Sequence, residues 1–396
     1  MKEKKERRFS RQQIERILGV VAVVTIIAAW VIGNSRASAN VQPVLNAVLP
    51  TAVTFDNIEN GTYLAVAEDG TELGYVGIGE AMGYGGPIQI AVAVSPQGEV
   101  IDFKIVDHKE TPSYLEKILD TDFSDNLIGM SYEDDFILDQ DVDGVSGATY
   151  SSRGIVQAVA DQTWEIASTY YDYTVPEPVK PKIEFGLLEI SLVLLYAAGY
   201  VGHRREFKYT KQLRWGTMII GLVVLGFMFN HPLTLSNFNQ LLLGYFPVWQ
   251  TTIYWYLLLG GVLFVFTVDN KNPYCEWFCP FGAAQECLGA IGGAKVRSAG
   301  KFNNFLKWLR RGLVWSAILI AMILRDPGLT SYEIFGTLFD LTGTTWQFAL
   351  LGVVLISSLF IKRPWCTHLC PLEPVTSLYR TFRKWGLEVW RKRKAH

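Results

Sequence analysis

Apolar residues fall along this chain in two patterns. Ile88, Ile90, Val92 and Val94 alternate with other positions, Ser95-Pro96-Gln97-Gly98 turns the chain, and Ile101, Phe103 and Ile105 alternate back. A period of two on either side of a turn predicts a half-buried antiparallel hairpin. Elsewhere the apolar residues run together in blocks, at 17–32, 185–202, 215–229, 253–268, 312–324 and 346–361. Blocks close to span length predict about six transmembrane helices, the fifth extended over 305–309 with Arg310 and Arg311 snorkelling to the interface. Between the two patterns, Leu115, Ile118 and Leu119 predict a short helix, and Ile155, Val159, Trp164 and Ile166 a longer one. The expected fold is therefore an α+β domain joined to an all-α membrane bundle. Its parts are a basic N-terminus and anchor (1–34), an outer domain (35–174), a stiff Pro-rich linker (175–184) and the bundle (185–396).

Charge assigns sides to these parts. A net charge of −2 conceals 24 Asp or Glu against 7 Lys or Arg between positions 36 and 183, so that 29 of the 36 basic residues lie elsewhere. Lys2, Lys4, Lys5, Arg7, Arg8, Arg11 and Arg16 precede the first apolar block, which puts the N-terminus in the cytoplasm by the positive-inside rule. A secretory signal with Ala37-Ser38-Ala39 as its cleavage site is the competing reading; a block running from 17 to 32 is long for a signal core and favours an uncleaved anchor. Segments 203–214, 269–311 and 362–396 hold 5, 7 and 9 Lys or Arg, whereas 230–252 and 325–345 hold one between them. The expectation is a multi-pass protein of the inner or plasma membrane, in contact with lipid, with both termini cytoplasmic and the acidic domain extracytoplasmic. No nucleic-acid partner is expected. All five cysteines lie in the basic segments and the acidic domain has none, which excludes a disulfide framework there and leaves reduced thiolates available to a metal.

The chemistry of the acidic domain centres on Asp143-Gly144-Val145-Ser146-Gly147-Ala148-Thr149. By composition this is a small-residue turn entering a helix, with Ser151 or Ser152 capping residues 153–171. Asp-x-x-Ser-Gly-Ala-Thr also resembles the acceptor motif of membrane-tethered FMN-binding domains. That resemblance implies a flavin transferase as partner and FMN joined to Thr149 through a phosphoester bond, with Asp143, Ser146, Gly147 and Ala148 completing the motif. The physical logic agrees: Gly147 and Ala148 leave room around the Thr hydroxyl, and a helix starting beside Thr149 would offer N–H groups and a positive dipole end to the phosphate. Gly83-Tyr84-Gly85-Gly86-Pro87-Ile88, then a hairpin, then His108-Lys109-Glu110-Thr111-Pro112 is similar in order to the same family, the domain of the flavin-bearing subunits of Rnf and of the sodium-pumping quinone reductase. It implies His108, Glu110, Thr111 and Pro112 as flavin-packing residues. Ser113 stands where the family usually has Gly, so the loop conformation there is open. The glycine run from Gly74 to Gly86 contains no Gly-x-Gly-x-x-Gly leading into a helix, which excludes a dinucleotide fingerprint in favour of turns and close packing.

The second half carries a repeated motif. Pro273-Tyr274-Cys275-Glu276-Trp277-Phe278-Cys279-Pro280 and Pro364-Trp365-Cys366-Thr367-His368-Leu369-Cys370-Pro371 are both Pro-aromatic-Cys-x-x-x-Cys-Pro. Cys275, Cys279, Cys366 and Cys370 can hold an iron–sulfur cluster, with [4Fe–4S] favoured and [2Fe–2S] compatible, or a structural zinc. The motif resembles membrane-bound ferredoxin-like proteins that include the NosR-type family of nitrous oxide respiration, which also joins an outer FMN domain to such a bundle. That family usually adds a further cytoplasmic ferredoxin domain, so a shorter relative is expected here. Cys287 reads as a helix-packing thiol, Glu189 as a hydrated residue near the outer surface, and no pair of histidines within the apolar blocks suggests haem. The implied function is transmembrane electron transfer between a cytoplasmic ferredoxin or flavodoxin-like donor and an extracytoplasmic redox partner. Its rivals are a redox-sensing, regulatory or assembly role in a respiratory system, and a flavin carrier over a zinc site. No catalytic residue is assigned, because the cofactors carry the redox steps. About 30 Å of hydrocarbon would separate an inner cluster from an outer flavin, too far for one efficient tunnelling step.

Overall fold

The computed structural model describes residues 11–35, 42–59, 61–110, 112–175, 181–204, 208–269, 272–296 and 300–394. A long helix, α1 (Arg11–Ser35), precedes a short one, α2 (Gln42–Val48). Five strands follow, β1 (Thr54–Glu59), β2 (Thr62–Val66), β3 (Glu72–Met82), β4 (Pro87–Val94) and β5 (Val100–His108), paired antiparallel in chain order as a meander. Helices α3 (Pro112–Leu119) and α4 (Thr149–Tyr170) complete the domain.

The expected hairpin is β4–β5, with Ile90 opposite Ile105 and Val92 opposite Phe103. It is not half-buried at β4. Ile88, Ile90, Val92 and Val94 pack against Ile155 and Val159 of α4, while Ala91 and Ala93 on the opposite face pack against Leu45 and Val48 of α2. Large side chains toward one helix and alanines toward the other let a single strand carry two covers. Helix α4 lies close on β3 because Gly77 and Gly79 have no side chain; a Cβ at Gly79 would stand 2.6 Å from the Ala158 carbonyl oxygen.

The second half is built from α5 (Leu187–Arg204), α6 (Thr210–Ile220), which continues as a π-helical segment (Gly221–Met228), α7 (Leu235–Leu243), α8 (Ile253–Asp269), α9 (Pro280–Gly292), α10 (Asn303–Leu324), α11 (Phe335–Phe339), α12 (Thr345–Ser358), α13 (Pro364–His368) and α14 (Leu372–Lys394). The expected bundle of about six transmembrane helices is not what these residues form. Among the described residues one helix, Gln12–Ser35, is long and apolar enough to cross a membrane. The apolar parts of α5, α8 and α12 are Leu187–Gly202, Ile253–Val268 and Thr345–Ser358. At 1.5 Å per residue they reach only about 21–24 Å, short of a hydrocarbon core of about 30 Å. Helix α10 is longer, but Lys307, Arg310 and Arg311 occupy its first turns. The apolar block at 215–229 divides where α6 gives way to π geometry, at Gly221, against which the Phe278 carbonyl packs so closely that no Cβ fits. Single helical turns and loops separate these elements, and among the described residues of this half no helix is both long and apolar enough to cross a membrane.

Glu189 also departs from expectation. It is buried rather than hydrated, and its carboxylate accepts the Gly186 N–H at 2.8 Å as a cap on the first turn of α5. Of the expected Pro-rich linker, residues 176–180 lie outside the described residues.

Candidate cofactor sites

Thr149 is the first residue of α4 and is exposed, as are Asp143, Ser146 and Gly147, while Ala148 is buried. The expected Ser cap is absent. Ala148 occupies the N-cap with no side-chain hydrogen bond, so the first N–H groups of α4 are left for another partner. Ser151 instead donates to Glu110 Oε2 at 2.8 Å, and Ser152 Oγ accepts the Val145 N–H at 3.4 Å. Gly147 bends the chain into the helix with φ +77°, a left-handed conformation that a side chain disfavours. A cavity of ≈ 470 Å³ opens beside the motif, lined by Asp143, Gly144, Val145 and Ser146 on one side and by Lys117, Phe123 and Asn126 on the other.

Glu110 ties this motif to the glycine turn. It is fully buried, its Oε1 accepts the Gly85 N–H at 3.1 Å, and a side chain at Gly83 would collide with it. Burial pushes its carboxyl up to about 7; the Ser151 and Gly85 donors act in the opposite direction, and Asp326 adds a small push upward. Glu110 is therefore a strut between turn 83–86 and the first turn of α4. Of the other expected flavin-packing residues, His108 ends β5 half-buried with no hydrogen-bond partner for its Nδ1 among the described residues, and Pro112 opens α3 exposed to solvent. Thr111 lies outside the described residues.

The two cysteine motifs fold alike. Each wraps one tight turn after its proline, and the second cysteine closes the turn by donating its N–H to the carbonyl of the buried aromatic five residues back: Cys279 to Tyr274 at 2.7 Å, Cys370 to Trp365 at 2.9 Å. The two thiols of each motif thus share a face. All six pairs among Cys275, Cys279, Cys366 and Cys370 are close enough for one sulfur's charge to act on the next, so the two turns bring the four thiols into one group. Among the described residues no set of three or more Cys, His, Asp or Glu side chains is placed to hold a single metal ion. A four-iron cube takes one thiolate at each corner and does not require such a point. Cys287, half-buried on α9, is outside the group.

Residues other than the four cysteines hold the group together, and Asn272, Gln285, Glu286 and Arg363 among them carried no signal in the sequence. Asn272 Nδ2 donates to the Cys275 sulfur at 2.9 Å and Gln285 Nε2 to that of Cys366 at 3.3 Å. The Tyr274 hydroxyl and the Phe281 and Gly282 N–H groups donate to the Cys279 sulfur. Arg363, just before the second motif, reaches across to the carbonyl of Cys275 in the first at 2.7 Å and pairs with Glu286 at 2.8 Å. Arg310 donates to the Thr367 carbonyl at 2.7 Å.

The two sites lie on facing sides of one junction. Tyr84 and Tyr150, which flank Gly83 and Thr149, meet the His231 ring at 6.0 and 6.2 Å, and His231 stacks on Tyr254 at 4.1 Å. Burial pushes the His231 imidazole down to about 4, which keeps it neutral at physiological pH. Two residues on, the Leu233 N–H donates to the Tyr274 hydroxyl at 2.7 Å, and Tyr274 touches Cys279. Lys117 pairs with Asp340 at 2.6 Å, Arg153 with Glu184 at 3.1 Å, and Gln240 donates to the Tyr84 carbonyl at 3.0 Å, so polar contacts also cross the junction.

Residues 83–162 match the FMN-binding domain family, and residues 251–298 with 342–394 match the family of 4Fe-4S binding domains. The chain thus joins one segment of each kind. Similar proteins include NirI of Paracoccus denitrificans, 28% identical over 41% of this chain and 26% of that protein, and the regulatory protein NosR of Pseudomonas aeruginosa, 26% identical over 54% and 31%. One component of the proton-translocating ferredoxin:NAD(+) oxidoreductase complex of Clostridium ljungdahlii is 28% identical over 27% of this chain and 60% of that component. The chain matches about a quarter to a third of the length of the first two. The two domain matches give the cofactors, FMN and an iron–sulfur cluster. The residues fit both: an uncapped helix start at an exposed Thr hydroxyl, with a cavity beside residues 143–146, suits a flavin phosphate, and four gathered sulfurs with N–H, amide and hydroxyl donors suit a cluster.

Proposed function

We propose that this protein carries electrons between a cytoplasmic donor of the ferredoxin or flavodoxin class and an extracytoplasmic redox partner, with FMN esterified through its phosphate to Thr149 by a flavin transferase. Bound, the two cofactors supply the one- and two-electron chemistry. The chain's own residues do the holding: Cys275, Cys279, Cys366 and Cys370 ligate, Asn272, Gln285 and Tyr274 bind the sulfurs, and Asp143, Ser146, Gly147 and Ala148 present Thr149. Glu110 keeps the motif against the glycine turn; His108, Thr111 and Pro112 stay candidates for contact with the ring. Helix α1, behind its basic N-terminus, attaches the protein to a membrane and sets the acidic domain on the outer side.

The observation that carries this reading is the junction itself. The acceptor helix and the cysteine turns are joined through Tyr150, His231, Tyr254, the Leu233 backbone and Tyr274, a packed connection of the kind electron transfer between them needs. The test pairs two variants. Denatured wild-type protein made with a flavin transferase fluoresces in a gel and Thr149→Ala does not, while Cys275→Ala keeps the fluorescence and loses electron flow to an outer acceptor. Undiminished flow in Cys275→Ala would refute the route.

Relatives named as regulatory proteins favour a second reading, in which the same cofactors report redox state to a partner. A carrier is needed in proportion to flux and a sensor is not, so respiration measured against graded expression separates them.

A further inference from the structure

Lys117 stands at the acceptor motif without belonging to it. It projects from α3 into the cavity beside Asp143–Ser146, and a Cβ placed on Gly147 would lie 3.1 Å from its Nζ. The same Nζ pairs with Asp340, on the loop after α11 in the cysteine half, at 2.6 Å. Both side chains are mostly shielded, with 26% and 23% exposure. One ammonium group therefore lies between the flavin acceptor turn and a carboxylate of the other half. The uncapped start of α4 lies two residues beyond Gly147. Two anion-seeking features, a shielded ammonium and a set of open helix N–H groups, thus converge where the phosphate of an FMN ester would sit.

Resting on the reading of Thr149 as acceptor, we propose that Lys117 is the cation that binds the FMN phosphate during and after its attachment, exchanging Asp340 for the phosphate. In the attachment the Thr149 Oγ displaces a nucleotide leaving group from the flavin phosphate of a flavin dinucleotide. One P–O bond to Oγ forms, the pyrophosphate P–O bond breaks, the nucleoside monophosphate departs, and the hydroxyl proton passes to a base of the transferase. No electrons are exchanged. The product is a diester with one negative charge, for which a lysine ammonium is a suitable point-charge partner. Because Asp340 loses its cation in the exchange, attachment also loosens one contact between the two halves.

The test is the initial rate of labelling of full-length protein by a flavin transferase with flavin dinucleotide, read by fluorescence of the denatured band, in wild type and in Lys117→Gln, Lys117→Arg, Asp340→Ala and Thr149→Ala. Iron and sulfide content of each variant reports that the other half is intact. Lys117→Gln should slow labelling by about tenfold or more, the scale of one charge-assisted hydrogen bond. Lys117→Arg should recover most of the rate, and Asp340→Ala, which breaks the same ion pair but keeps the cation, should label at least as fast as wild type. Equal slowing in Lys117→Gln and Asp340→Ala would overturn the proposal in favour of a purely docking role. A wild-type rate in Lys117→Gln with a dark Thr149→Ala would overturn it and leave the acceptor reading standing. A dark wild-type band, under conditions that label a known acceptor domain, would overturn both.

Discussion

Replacing Glu110 by Gln should remove one pH-dependent contribution to the flavin domain's stability. Glu110 is fully buried, and its carboxyl is raised from the ordinary value of 4.5 to about 7, chiefly by loss of solvent. Between those values the folded state holds a proton that the unfolded state has released. The stabilisation is complete below pH 4.5, is lost as pH rises through about 7, and is flat above it. At about 1.36 kcal/mol per pH unit the loss is about 3 kcal/mol, a large part of a domain's net stability. Gln keeps an acceptor for the Gly85 N–H and offers its amide to Ser151 Oγ, yet never ionises. Near pH 4.5 the two proteins should differ by no more than about 1 kcal/mol, the size of one altered hydrogen bond, and at pH 8 the variant should be the more stable by about 3 kcal/mol. Hydrogen exchange of β4 and β5 peptides in the detergent-solubilised full chain, with the variant as reference at each pH so that intrinsic chemistry cancels, measures this difference. Identical pH dependence in the two proteins would refute the burial argument.

Other consequences are as direct. Cys279→Ser and Cys366→Ser should each lose most of the bound iron and acid-labile sulfide whereas Cys287→Ala keeps both, by metal and sulfide analysis. Asn272→Ala and Gln285→Ala remove donors to the Cys275 and Cys366 sulfurs; donors stabilise the extra negative charge of a reduced cluster, so both variants should have lower reduction potentials in an EPR-monitored titration. Gly147→Ala must adopt φ +77° with a methyl 3.1 Å from Lys117 Nζ, and should lose about 1–2 kcal/mol locally, seen as faster exchange at the start of α4.

What the sequence disclosed, and what it concealed, follows from which signals are local. The β4–β5 hairpin was legible because period-two alternation around Ser95–Gly98 is a property of adjacent residues; the second cover on β4 was not, because Ala91 and Ala93 read as neutral until α2 is packed on them. The Cys-x-x-x-Cys-Pro repeat was legible because one helical turn places both thiols on a face, whatever surrounds them. Arg363 and Gln285 were not, since their contacts with Cys275 and Cys366 reach 88 and 81 residues along the chain. The six-span expectation failed because a hydropathy block counts apolar residues and does not register where a helix changes geometry, as at Gly221, or must stop, as before the turn at Cys275. Ser151 looked like a cap and proved to be a partner of Glu110, 41 residues away.

The most direct test of the account is anaerobic mixing of flavin-labelled, detergent-solubilised protein with a reduced ferredoxin, following bleaching of the flavin. In the wild type the flavin should be reduced. In Cys366→Ala, which retains its flavin fluorescence, ferredoxin should leave the flavin oxidised while dithionite still bleaches it, because on the proposed route electrons enter at the cysteine turns. Equal reduction by ferredoxin with and without Cys366 would contradict the central claim that the two sites work as one conductor.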